Sequence, residues 1–157
     1  MSICIEKASE YEIEELVKMR IAYLQEDFGS LSEHDLQCME EALPEYFKNH
    51  LNRDLLVYIA REAEEIVACA FLLVIEKPMS PSFLTGKIGT VLNVYTKPEC
   101  RKRGYARQLM NALLSEAKER DLSVVELKAT EDGYHLYRSV GFEDVVSKYH
   151  MMRFEVK

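Results

Sequence analysis

From Leu55 the chain turns β-rich, and this change of texture most limits the folds open to it. Leu55-Leu-Val-Tyr-Ile-Ala60 and Ile66-Val-Ala-Cys-Ala-Phe-Leu-Leu-Val-Ile75 flank a charged turn at Glu62 to Glu65, which predicts an antiparallel hairpin. Two prolines in Lys77-Pro-Met-Ser-Pro81 predict a loop, after which Lys87 to Thr96 resumes as a strand. Upstream, Ile3 to Glu6 is a short strand candidate. Ser9 with Glu12 forms a capping-box pattern, and Ile13, Leu16, Val17, Ile21 and Leu24 share one helical face, predicting a helix from Glu10 to Glu26. Ser32 with Asp35 repeats the signal before Leu36, Met39, Leu43 and Phe47, with Pro44 expected to split the segment into two short helices between Ser32 and Leu51. Downstream come a helix with Ala106, Leu109, Met110, Leu113 and Ala117 inward, a strand from Ser123 to Lys128, and a short helix from Glu131 to Val140 closed by Gly141. A last strand runs from Val145 to Val156. This order predicts an α/β (α+β) mixed sheet with at least one parallel βαβ crossover.

At 157 residues, 48% apolar and 30% charged, the chain reads as one globular domain, residues 1–157, and not as a disordered one. No apolar run approaches the roughly 20 residues that span a bilayer, and Met1-Ser-Ile-Cys-Ile-Glu has no basic region followed by an apolar stretch, so the expected location is cytoplasmic, without a membrane partner. The net charge of −7 divides unevenly: residues 1–65 carry −10 and residues 66–157 carry +3. The acidic balance argues against general nucleic-acid binding but permits one local anion site. Cys4, Cys38, Cys69 and Cys100 lie about thirty residues apart, with no Cys-x-x-Cys pair and no His at ligand spacing, so they read as free thiols and no metal is expected. A reactive thiolate at Cys100, beside Arg101, Lys102 and Arg103, is the alternative to a packing cysteine.

The segment that carries chemistry is Asn93-Val-Tyr-Thr-Lys-Pro-Glu-Cys-Arg-Lys-Arg-Gly-Tyr-Ala106, a strand leading through a basic turn into a helix. Amides in a helix's first turn lack intrahelical acceptors, and the helix dipole adds partial positive charge there, so such a terminus binds phosphate. Gly104 lets backbone approach a ligand, Ala106 does not block it, and Arg101, Lys102, Arg103 and Arg107 supply countercharge. A solvated basic turn before an amphipathic helix is the plainer alternative. No Gly-x-x-x-x-Gly-Lys-Ser/Thr or Gly-x-Gly-x-x-Gly sequence occurs, which removes the usual phosphate-loop and dinucleotide fingerprints.

Arg101-x-x-Gly104-x-Ala106 resembles the Q/R-x-x-G-x-G/A motif of the GNAT superfamily of N-acetyltransferases, and Leu136-Tyr137-Arg-Ser-Val-Gly141-Phe142 resembles that family's C-terminal signature. The resemblance covers Ile66 to Phe142 well and extends loosely to the N-terminal helices. It implies a mostly antiparallel twisted sheet of six to seven strands flanked by about four helices. It also implies acetyl-CoA as cosubstrate, with backbone of Val94, Tyr95 and Thr96 beside the pantetheine arm, and Arg101, Lys102, Arg103, Gly104, Tyr105, Ala106 and Arg107 around the pyrophosphate. Thr130 stands where many relatives carry an Asn that bonds the arm.

The chemistry the resemblance implies is direct attack of a neutral amine on the thioester carbonyl, with Tyr137 as general acid to the departing thiolate. A core aromatic on an amphipathic helix is the alternative for Tyr137. No carboxylate stands at Asn93, where some relatives place the base; His135 and Glu76 are weaker candidates, as is ordered water. The expected acceptor is a primary amine of a small molecule. A protein lysine or N-terminus, or a module that holds acetyl-CoA without turnover, is the alternative. The acidic N-terminal half leans toward a cationic acceptor, and the β-rich C-terminal end leaves a homodimer open.

Overall fold

The computed structural model describes residues 3–157. Strand β1 (Cys4–Lys7) leads into a 3-10 turn at Glu10–Glu12 and helix α1 (Ile13–Phe28). Ser9 opens this unit as the sequence predicts: the Glu12 carboxylate accepts from the Ser9 amide at 2.7 Å, and the Ser9 hydroxyl caps the turn. Helix α2 (Glu33–His50) follows, capped by Ser32. The expected pair of short helices is here one helix, because Pro44 lies on its exposed face, where the carbonyl that loses its partner stays hydrated.

Strands β2 (Leu55–Glu62), β3 (Glu65–Glu76) and β4 (Lys87–Thr96) form the antiparallel centre of the sheet, and the β2–β3 hairpin matches the sequence reading closely. Helix α3 (Tyr105–Glu119) crosses over to β5 (Val124–Glu126), which pairs parallel with β4; α4 (Tyr134–Ser139) then closes at Gly141. The order β1-β2-β3-β4-β5 gives a mixed, mostly antiparallel sheet with one parallel crossover. Among the described residues it has five strands, short of the six to seven expected. The missing strand is Val145–Val156, which pairs with no strand among the described residues and leaves the outer edge of β5 open, since strand propensity makes a strand only where a ladder forms. Its Val145, Val146, Tyr149, Met151, Met152, Phe154 and Val156 are between 77% and 97% exposed.

Alternation along the strands splits the core. Leu55, Val57, Ile59, Cys69 and Phe71 pack under α1 and α2 with Leu16, Met19 and Phe47; Leu56, Ala60, Ala70 and Leu72 pack under α3 with Leu109, Met110 and Leu113. The long apolar run of β3 is explained by burial on both faces. One polar network joins α3 to the far edge of the sheet. Glu116, 8% exposed, accepts from the Tyr58 hydroxyl at 2.6 Å, pairs with Lys7 at 3.2 Å and receives Arg120 Nε at 2.7 Å.

Candidate active site

The parallel β4–β5 ladder covers only Ile88 to Thr90, and beyond it the two strands part. Asn93 sharpens the divergence: it adopts a left-handed φ of 53°, which Asn tolerates better than most residues, at a β-bulge where the β3–β4 register slips. The backbone of Val94, Tyr95 and Thr96 therefore runs along an open side, with β3 as its one ladder neighbour.

A cavity of about 770 Å³ fills this wedge. Its lining contains the residues that the resemblance implies for the cosubstrate and the general acid: Val94, Tyr95, Thr96, Arg101, Lys102, Arg103, Gly104, Tyr105, Ala106, Arg107, Thr130 and Tyr137. Their side chains divide into distinct tasks. Arg101 is engaged in the framework: Nε donates to the Thr96 carbonyl at 2.8 Å, Nη2 pairs with Glu26 at 2.7 Å, and the guanidinium lies over the Tyr95 ring. Arg103 is tied to Glu62 at 3.3 Å, and the buried Tyr105 hydroxyl donates to the same carboxylate. These three residues shape the turn. Lys102 and Arg107 make no ion pair among the described residues and remain the countercharges for an anion.

Gly104 is the N-cap of α3, with φ of 83°, and a Cβ built on it would meet nothing within 4 Å. Open space therefore adjoins the start of α3, whose first-turn residues line the cavity, and an uncapped helix N-terminus suits a phosphate. Cys100 is buried at the turn behind them, and all four thiols are unbridged.

Tyr137 comes from α4 across the wedge, with its ring edge-on to Phe142 at 6.1 Å. A Cβ on Gly133 would lie 2.7 Å from Tyr137 Cε2 and 3.3 Å from the Thr130 hydroxyl, so glycine there allows the ring to lie against the backbone. The Thr130 hydroxyl accepts from the Gly133 amide at 3.1 Å and closes this turn. The Tyr137 hydroxyl makes no hydrogen bond among the described residues, and burial pushes its pKa up to about 12, with the nearby Tyr23 phenol adding to the rise. It therefore stays protonated throughout the neutral range, the state a proton donor needs.

Several cavity residues escape the sequence reading: Tyr23, Glu26 and Asp27 of α1, and Asp132 and Gly133 before α4. Tyr23 with Glu26 and Asp27 has the three- and four-residue spacing of one helical face, a signal that lies outside the apolar stripe used to place the helix. The base candidates Glu76 and His135 are not among the lining residues, whereas Asp27 and Asp132 are. No cluster of potential metal ligands occurs among the described residues.

No curated protein sequence matches the chain. Solved structures do. A predicted acetyltransferase from Clostridium acetobutylicum, crystallised with acetyl-CoA, is 32% identical over 97% of this chain and 96% of its own, with a TM-score of 0.83. A GCN5-related N-acetyltransferase from Ralstonia eutropha JMP134 is 25% identical over 96% of this chain and 99% of its own, with a TM-score of 0.81. An aminoglycoside acetyltransferase from an uncultured soil metagenomic sample shares the fold at 19% identity and a TM-score of 0.71, over 98% of this chain and 100% of its own. The family model described as acetyltransferase (GNAT) matches residues 16–142, from the first turn of α1 to the Gly-Phe pair behind Tyr137, and with that match the chain belongs to the GNAT family of acetyltransferases.

Proposed function

We propose that the protein transfers the acetyl group of acetyl-CoA to a primary amine of a small molecule, with Tyr137 as general acid. The observation that carries this reading is the wedge itself, where the open flank of β4, the first turn of α3 and Tyr137 border one cavity. The residues fit the cosubstrate. Val94 to Thr96 offer backbone groups along an extended edge, Gly104 leaves room at the α3 N-terminus, and Lys102 and Arg107 supply positive charge. Acetyl-CoA supplies an activated acyl carbon on a good leaving group.

In the reaction the acceptor amine, held neutral, forms the new N–C bond, and the C–S bond breaks as the oxyanion collapses. The Tyr137 hydroxyl donates to the departing sulfur, and solvent restores its proton. A phenol near 12 gives up a proton to a thiolate only uphill, since an ordinary thiol sits near pKa ~8.5. The hydrogen bond is therefore worth most while charge is developing on sulfur. The amine's proton leaves through water or through Asp27 or Asp132, the cavity carboxylates that make no ion pair among the described residues. The chain works as one domain over residues 1–157, in a cytoplasmic setting, without a metal.

A thermal-shift series with acetyl-CoA, CoA, ATP and NAD, followed by CoA release with a panel of amines, tests this. Stabilisation by both CoA species and turnover with small amines is the expected result. Stabilisation by ATP or NAD but neither CoA species overturns it, and binding without turnover leaves a non-catalytic acetyl-CoA module.

We also infer a homodimer in which Val145–Val156 pairs with the β5 edge of a second copy. His150, Met152, Phe154 and Val156 alternate along the segment and would share one face of a strand, and seven large, exposed apolar side chains need a cover. The β5 edge, only three residues long and unpaired on its outer side within the chain, is the equivalent unmet surface on the partner. Light scattering should give a dimer for the intact chain and a monomer after truncation at Asp144. A monomeric intact chain overturns the inference.

A further inference from the structure

A second charged feature stands beside the wedge, on the face of α1 that meets β4. Arg20 of α1 is half-buried, one helical turn before the cavity residue Tyr23, and its Nη1 donates to Asn93 Oδ1 at 3.3 Å. Asn93 is 3% exposed and immediately precedes Val94, so Arg20 stands at the seam of α1 and β4, next to the strand that borders the cavity. Asn93 is itself held: its Nδ2 donates to Cys69 Sγ at 3.5 Å, and the Cys69 thiol donates to the Asn93 carbonyl at 3.7 Å. The strained bulge thus has a local use, since it aims a buried amide oxygen at the guanidinium.

Arg20 does not line the cavity itself, and its pairing differs from that of Arg101 and Arg103, which do. Arg101 and Arg103 each have a carboxylate partner, whereas Arg20 has no carboxylate within ion-pairing distance among the described residues and makes one hydrogen bond with a group that has five donors. No enclosed side-chain nitrogen or oxygen lacks a partner among those residues, so the unused guanidinium donors open onto solvent-accessible space. Tyr23 and Tyr46 lie close enough to feel its charge. A partly desolvated, unpaired guanidinium held by Asn93 is costly without an anion and well made for one. Its planar fork, carrying a single charge, matches a carboxylate.

We propose that the acceptor is an amine that also carries a carboxylate, an amino acid or an amino-terminated acid, and that Arg20, oriented by Asn93, binds that carboxylate. The inference rests on the acetyltransferase reading and sharpens it. It also departs from the cationic acceptor that the acidic N-terminal half favours, since much of that acidity lies on exposed positions such as Glu33, Glu40 and Glu41.

CoA release measured with matched acceptors, such as 4-aminobutyrate against butylamine and α-amino acids against their amides, tests the proposal. The carboxylate member should have at least ~10-fold higher kcat/KM. Arg20→Gln should bring the ratio close to one, chiefly through KM, and Arg20→Lys should restore part of it. A rise in Tm on adding acetyl-CoA shows that each variant is folded. Equal rates with the two members of a pair, or a ratio unchanged in Arg20→Gln, overturn the proposal. If acetyl-CoA binds but no amine is acetylated, the transferase reading fails instead. Equilibrium titration of the CoA-saturated protein with 4-aminobutyrate and with butylamine then decides on Arg20, and carboxylate binding that ignores Arg20→Gln overturns its role.

Discussion

Replacing Glu116 by Gln tests the physical account of how α3, which carries the turn at its N-terminus, is fastened to the sheet. The carboxylate takes a hydrogen bond from Tyr58, pairs with Lys7 and receives Arg120 from one turn along the helix. These donors outweigh the burial that opposes ionisation and hold its pKa down to about 2, against 4.5 for the ordinary group. A folded-state pKa below the unfolded one contributes stability that is fully present above the unfolded value and is lost as pH falls toward the folded one. A difference of about 2.5 units corresponds to about 3 kcal/mol at pH 7, falling to about half of that by pH 3. The Lys7 and Arg120 side chains are 42% and 36% exposed, so water screens their share and about 2 kcal/mol is the better expectation at pH 7. Urea unfolding of both proteins between pH 7 and pH 3 is the assay. The gap between wild type and Glu116→Gln should be widest at pH 7 and narrow progressively below about pH 4.5. A gap that is absent at pH 7, or that does not change with pH, refutes the reasoning.

Tyr137→Phe should lower turnover about 10²-fold or more while cosubstrate affinity stays nearly constant; unchanged turnover across the pH range removes Tyr137 from the mechanism. Gly104→Val places a β-branched side chain at a φ of 83° and projects it into the anion cradle, so calorimetric titration should show acetyl-CoA binding weakened by at least ~10-fold, and unaltered affinity would place the phosphates elsewhere. Burial pushes the Cys69 thiol up to about 12, whereas Cys4 and Cys38 are exposed; at pH 8 a thiol reagent should label the latter two quickly and leave Cys69 unmodified until the chain unfolds. Rapid labelling of Cys69 in the native protein would contradict the packing described around Asn93.

The parts of the site that were legible in the sequence are contiguous in it. Val94 to Thr96 and Arg101 to Arg107 belong to one strand–turn–helix passage, and local rules about glycine, charge and helix termini suffice to group them. Tyr137 depended on a second short motif. The α1 contributions were not legible, because Tyr23, Glu26 and Asp27 reach the cavity only through the packing of α1 beside β4, a contact some seventy residues apart in the chain that the Arg20–Asn93 hydrogen bond marks. The roles within the basic turn were also hidden. Four cations look alike in sequence, yet Glu26 and Glu62 engage two of them, and both carboxylates come from other elements. The two departures in the fold have the same origin: Pro44 is tolerated because of the side of α2 it occupies, and residues 145–156 carry strand propensity that no ladder among the described residues uses.

The three-rung contact between β4 and β5 makes part of this sheet thermodynamically unfinished. A ligand lying in the wedge acts as a structural component as much as a reactant, since it binds the folded chain and not the unfolded one. At a hundred times its dissociation constant such a ligand adds about 2.7 kcal/mol to stability, a large fraction of what a domain of this size possesses. Amide hydrogen exchange along Val94 to Thr96 should slow accordingly when the wedge is filled. The cellular supply of cosubstrate would then set the lifetime of the enzyme as well as its rate.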